Sequence, residues 1–226
     1  AGWLLGSAGF RAEHEARLSE QQAGAAAALY RALGDEQGEA RALAYVASSR
    51  LDDAAERQRA ALERMQSLVQ PDWPPATLAT VCRAECLYAY RREDFDTVEA
   101  AFRRWLAHSD GVGNAVTSNA VAMNLADLAL ARGRAAEAVQ LSQAPLARLR
   151  ASRDRHAFSI LCMNLSAALL ACDRIAAARA IIPAAWPLAP ALSMQSRWLD
   201  YLALLAALEG RCADAAALLT RADADY

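Results

Sequence analysis

A chain of 226 residues with 24 basic and 26 acidic side chains has no basic excess, which excludes the global electrostatic footprint of a nucleic-acid binder. All 24 basic residues are arginine, so chemistry that needs a lysine amine, such as a Schiff base or a Walker-loop phosphate contact, is excluded too. Hydrophobic residues make up 55% of the chain and are dominated by Ala and Leu, a mixture that favours helix and leaves few β-branched or aromatic side chains for strands.

In chain order, the opening AGWLLGSAGF is apolar but short and lacks the basic leader of a signal peptide. The first residue, Ala rather than Met, is expected of a piece cut from a longer chain. A run rich in Ala, Leu and Arg then reaches Gly34, and a second begins at Asp35. We read this as a helix ended by glycine in a left-handed cap, followed by a helix whose free amides the Asp35 carboxylate accepts. Helices are then expected in pairs: Asp35–Arg50 with Ala54–Val69, Pro75–Arg92 with Phe95–His108, and Asn114–Arg132 with Ala135–Arg150. Two further pairs follow, Arg155–Cys172 with Ile175–Ile182 and Ala191–Glu209 with Cys212–Ala224. Pro183, Pro187 and Pro190 cannot share one continuous helix, so the second helix of that repeat is expected to be short or kinked. Pro145 is expected to kink its helix more mildly.

The pairs repeat. AMNLADLALARGRAAEA from Ala122 and CMNLSAALLACDRIAAA from Cys162 match in Met, Asn, Leu, Arg and Ala at a spacing of about 40, and polar breaks recur every 37 to 42 or so along the chain. Two punctuations per period mean two helices per period. One hairpin alone cannot bury the apolar circumference of helices such as Asn114–Arg132, so stability has to come from stacking neighbours. The expected organisation is a single all-α domain over 1–226, with a truncated first repeat at 1–34 and hairpins at 35–70, 71–109, 110–151, 152–190 and 191–226.

ALYRALGDEQGEARALAYVA, the turns ARGRAAEA and EGRCADA, and the ending LLTRADADY resemble the tetratricopeptide-like C-terminal regions of bacterial STAND-class signalling ATPases. The sensor superhelix of maltose-regulator-type activators is similar. The period near 40 exceeds the usual 34, and the aromatic and closing-proline positions are met only in places. The resemblance implies a right-handed α-solenoid of about five hairpins that acts as a protein- or peptide-binding or effector-sensing arm of a larger regulator. It also implies a cytoplasmic location and a role without catalysis. No stretch is apolar for the roughly 18 to 20 residues a membrane span needs. Cut terminal repeats could promote homo-oligomers.

In tetratricopeptide superhelices the first helices line the concave surface. Asn114, Asn119, Asn124 and Asn164 could form a polar ladder there, since an amide side chain can pair with an extended peptide backbone. The alternative is that each Asn satisfies a neighbouring helix end inside the stack. A second function class is a small-molecule effector held in a pocket lined by Tyr88, Trp105, Trp198 or Tyr201. Cofactor, metal and catalytic residues are not expected. Cys82 and Cys86 share a helix face but have no second ligand pair nearby, and five cysteines in apolar runs suit reduced thiols. DGVGNAVTS, from Asp110, lacks the lysine and strand of a phosphate loop and falls where each repeat has a turn. The triad residue types in HSD, at His108, are adjacent, and adjacent residues rarely point at one another as a nucleophile and its base must; His14 and His156 are scattered elsewhere. The arginines of RLRASRDR read as a helix-end cluster, with anion or nucleic-acid contact the less favoured reading and no nucleic-acid partner expected.

Overall fold

The computed structural model describes residues 9–49, 51–192 and 194–224. Most of AGWLLGSAGF, Arg50 and the closing Asp-Tyr beyond Ala224 lie outside the described residues, as does the side chain of His14. Among the described residues there are eleven α-helices and no strand.

They fall into two compact units, Ala1–Asn114 and Ala115–Tyr226. The first contains α1 (Gly9–Leu33), α2 (Glu36–Ala47), α3 (Ala55–Leu68), α4 (Pro75–Tyr90) and α5 (Phe95–Gly111). The second contains α6 (Ala115–Ala131), α7 (Ala135–Ala151), α8 (Arg155–Ala171), α9 (Ile175–Ala185), α10 (Gln195–Leu208) and α11 (Cys212–Ala224).

Within each unit, helices adjacent in sequence pack together, and first helices of successive pairs also touch: α2 with α4, α6 with α8, α8 with α10. Alanine makes this possible. Ala40, Ala47, Ala101, Ala185 and Ala206 are fully buried, and a side chain of one methyl lets neighbouring helices approach closely. In the second unit α8 carries the core, with Phe158, Leu161, Cys162 and Leu165 buried on one side and Trp198 of α10 packed against them. Trp198 is 0% exposed, and its indole Nε1–H donates to Ser159 Oγ at 3.1 Å, which satisfies two polar groups that would otherwise be orphaned in the core.

Gly34 ends α1 with φ 71°, a conformation that glycine reaches without a steric penalty, and Asp35 N–H donates to Tyr30 O at 2.9 Å. Asp35 Oδ1 then accepts from Gly38 N at 2.8 Å and starts α2, as read from the sequence. The same left-handed joint recurs at Glu93, Gly113, Gly133, Asp173 and Gly210. At each, the next residue's amide reaches back five residues, as in Arg134 to Ala129 at 2.8 Å and Arg174 to Leu169 at 2.8 Å.

Several helix boundaries differ from the sequence reading: α2 ends at Ala47 and α4 at Tyr90, short of the expected Arg50 and Arg92, because Ser48 and Arg91 already take the C-cap positions. α5 runs past His108 to Gly111, because the residue at positive φ is Gly113 rather than either position of the Ser-Asp pair. α10 starts at Gln195 and not Ala191, because Pro190–Leu192 forms a short 3₁₀ turn and Met194 caps the helix. α9 includes Pro183 but stops at Ala185, giving 11 residues, after which Trp186–Leu188 continues as 3₁₀. α7 contains Pro145 and remains one helix.

The first unit is clasped by a buried carboxylate. Glu39 of α2 is 2% exposed and accepts from Arg31 Nε of α1 at 2.8 Å and from Arg64 Nε and Nη2 of α3 at 3.0 and 3.2 Å. Three helices are thus tied through one side chain. The Arg64 contact first, and then Arg31, hold the Glu39 carboxyl below its ordinary range against the opposing effect of burial.

Candidate ligand-binding face

The four asparagines expected to form one ladder do different things. Asn119 of α6 is buried, and its Oδ1 accepts from Arg148 Nε of α7 at 2.6 Å, so its amide braces a hairpin and does not face a ligand. The reason is angular: five residues along an α-helix turn the side chain by about 140°, so Asn119 and Asn124 cannot share a face. Asn114 is exposed in the turn before α6 and belongs to the other unit. Asn124 is exposed on α6 and Asn164 is half-buried on α8, and no hydrogen bond among the described residues engages either amide.

These two define a surface. On α6 the exposed positions Val116, Ala120, Asn124, Asp127 and Ala131 recur at the spacing of one helix face. His156, Ile160, Asn164 and Ala171 follow the same spacing on α8, and Arg197, Asp200, Leu204 and Leu208 do so on α10, each exposed or half-buried. Because α6 packs on α8 and α8 on α10, the three stripes lie side by side.

Asp127 is the residue that sequence reasoning missed. Solvent reaches its side chain, yet the surrounding protein raises its carboxyl above the ordinary range through burial alone, with no cation to offset the effect. The charge is accessible, but part of its surroundings is protein rather than water. The phenol of Tyr201 on α10, half-buried and edge-on to Trp198 at 6.4 Å, is raised by burial first and then by the carboxylates of Asp127 and Asp200, with Arg197 acting against them. The Asp127 charge thus acts on Tyr201 although α8 lies between their helices. The sequence signal was there: Asp127 follows Asn124 by one helical turn on the same face.

The other candidates dissolve into structure. Trp198 is interior, Trp105 stacks on Phe102 at 6.2 Å, and the Tyr88 ring lies 3.7 Å from the Arg92 guanidinium carbon. Tyr88 and Trp105 belong to one unit and Trp198 and Tyr201 to the other, so the four do not form a pocket within either unit. Cys82 and Cys86 are buried free thiols; burial raises both, Cys86 to about 11. Among the described residues no group of three or more His, Cys, Asp or Glu side chains is placed to hold a metal ion, and no helix is long and apolar enough to cross a membrane. Ser109 of the HSD stretch is 1% exposed and inaccessible to a substrate. In RLRASRDR, Arg148 is held by Asn119 and the Asp154 carboxylate caps α8 by accepting from Ala157 N at 2.9 Å. An open cavity of about 450 Å³ lies at the α1–α2 joint beside Gly34, Arg41 and Trp73, and three of its polar side chains are committed. Asp35 caps its helix, and Gln70 Nε2 donates to Glu36 at 3.0 Å.

With the geometry in place, the chain can be set beside solved structures. It is similar to a crystal structure of nearly identical TPR-like repeats from a putative kinesin light chain of Podosopora anserina, with TM-score 0.57 and 17% identity over 94% of this chain and 95% of that one. The fold is that of tetratricopeptide-like repeats. At this identity the likeness is one of fold. No protein-family model matches the chain, and no curated protein matches it in sequence. The tetratricopeptide-like arrangement accounts for the packing of α6 on α8 and of α8 on α10.

Proposed function

We propose that this chain is a protein-interaction scaffold, without catalysis of its own, in which the α6–α8–α10 face receives an extended peptide segment of a partner. One observation carries the reading: Asn124 and Asn164, equivalent positions in successive repeats, present uncommitted amides on neighbouring free stripes. An extended peptide has a free N–H and C=O on alternate sides, and an amide side chain can donate and accept at once. Val116 and Leu204, 79% and 47% exposed, add apolar contacts on the same face. The resemblance of Ala28–Ala47 and the turn sequences to STAND-class regulators supports a place as the partner-binding or effector-sensing arm of a larger bacterial signalling or transcription regulator in the cytoplasm.

The test is selection of displayed short random peptides on the full chain, followed by titration of the recovered peptides. Replacing both Asn124 and Asn164 by Ala should weaken binding about tenfold or more, because each lost backbone contact is worth about 1 kcal/mol. Gln140→Ala, on an exposed position of α7, should leave binding unchanged. Peptides that bind equally well to the double variant, or none recovered at all, would overturn the reading.

A further inference from the structure

Most buried or half-buried carboxylates of this chain already have their cations. Glu39 holds Arg31 and Arg64, Glu85 holds Arg104, and Glu209 holds Arg179 and Arg211. Asp127, by contrast, is exposed. It stands on the exposed stripe of α6 one turn after Asn124, beside the free stripe of α8, and no arginine pairs with it. Other charged groups on the three stripes are His156 near the start of α8 and Arg197 and Asp200 on α10, so the face keeps a net negative balance with His neutral.

From this placement we infer that the face selects a peptide carrying a basic side chain, whose guanidinium or ammonium group pairs with the Asp127 carboxylate while the peptide backbone lies along Asn124 and Asn164. The inference rests on the peptide-binding reading and adds the chemistry of the partner. Its physical basis is that the Asp127 carboxylate is open to solvent one turn after Asn124 and carries no cation of its own, so an arriving cation can pair with it without displacing an arginine. The protein around it, which raises the carboxyl, favours that pairing further. Arginine suits the site better than lysine, since its planar fork can bind both carboxylate oxygens and is less strongly hydrated. A peptide whose only charges are carboxylates would place like charge against Asp127 and Asp200 and should be rejected.

The experiment uses peptides recovered from the random library on the full chain, so basic residues are free to appear or not. The expected result is a basic residue enriched at one position. Replacing that residue by Gln, or making Asp127→Asn in the protein, should each weaken binding about tenfold or more, with no further loss when the two are combined. Asp127→Arg, at an exposed position that folding does not depend on, should invert the preference towards acidic peptides. If peptides bind in a manner that depends on Asn124 and Asn164 but show no basic enrichment, or if Asp127→Asn leaves their affinity intact, the inference fails and the peptide-binding reading stands. If no peptide binds, both fail.

Discussion

Glu93 and Asp173 occupy joints with φ 58° and 57°, the left-handed conformation that Gly34, Gly113, Gly133 and Gly210 adopt at the other four. An L-residue held there pays about 1 to 2 kcal/mol from the clash of Cβ with the following carbonyl. Glycine avoids that clash but loses more freedom on folding, by about 0.5 to 1 kcal/mol. The Glu93 side chain is exposed and makes no ion pair or side-chain hydrogen bond, so nothing offsets the difference. Glu93→Gly should therefore stabilise the fold by about 0.5 to 1 kcal/mol. Asp173→Gly should gain about half as much, because aspartate tolerates this conformation better. The reverse experiment is Gly133→Ala, where an added Cβ meets no atom within 4 Å and the whole cost lies in φ, which is 74°. It should destabilise by about 1 kcal/mol. Urea unfolding followed by far-UV circular dichroism reads these values from the midpoints, with an unchanged slope showing that the native and denatured states stay comparable. For a chain of this size, 1 kcal/mol moves the melting temperature by about 2 to 4 °C. A Glu93→Gly variant less stable than wild type, together with a neutral Gly133→Ala, would refute the reasoning.

Glu39→Gln should cost about 2 kcal/mol near neutral pH by weakening two charge-assisted contacts from a buried position. Because the folded state holds the Glu39 carboxyl below its ordinary 4.5, its stabilisation is present above that pH and is lost as pH falls towards the folded value; the acid limb of the stability curve should be shallower in the variant. Trp198→Phe should lose about 1 to 2 kcal/mol in the same unfolding assay, since it leaves the buried Ser159 hydroxyl without the indole partner. Titration with a thiol reagent on the folded chain should modify the exposed Cys212 first. Cys82, Cys86 and Cys162 should react only after unfolding, because they are buried and burial raises their thiols, Cys86 and Cys162 to about 11.

The helices and joints were legible because their signals are local. Gly34 followed by Asp35, or Gly133 followed by Arg134, announces a turn within a few residues, and the 40-residue spacing multiplies the signal. α10 was misplaced because Pro190 ends nothing by itself: Pro190–Leu192 is a 3₁₀ turn, and the helix waits for Met194. The division between Asn114 and Ala115 has no distinct mark, since SDGVG punctuates the chain no more heavily than the other joints. The asparagine ladder failed at Asn119 because residue type was weighed without angle around the helix. Asp127 escaped notice for the opposite reason. A lone aspartate between Ala126 and Leu128 reads as a solvated surface charge, and only the neighbouring helices show that protein replaces part of its water and that no arginine pairs with it.

The recurring joints also bear on how such a chain could lengthen or shorten. From Arg134 to Arg174 the backbone leaves one left-handed residue and reaches the next in an equivalent setting, with the same five-residue reach at 2.8 Å at both ends. Copying or excising that cassette would splice like geometry to like, and the new seam would be no worse than the old. What the seam demands is one backbone conformation, which Gly, Glu and Asp all supply here.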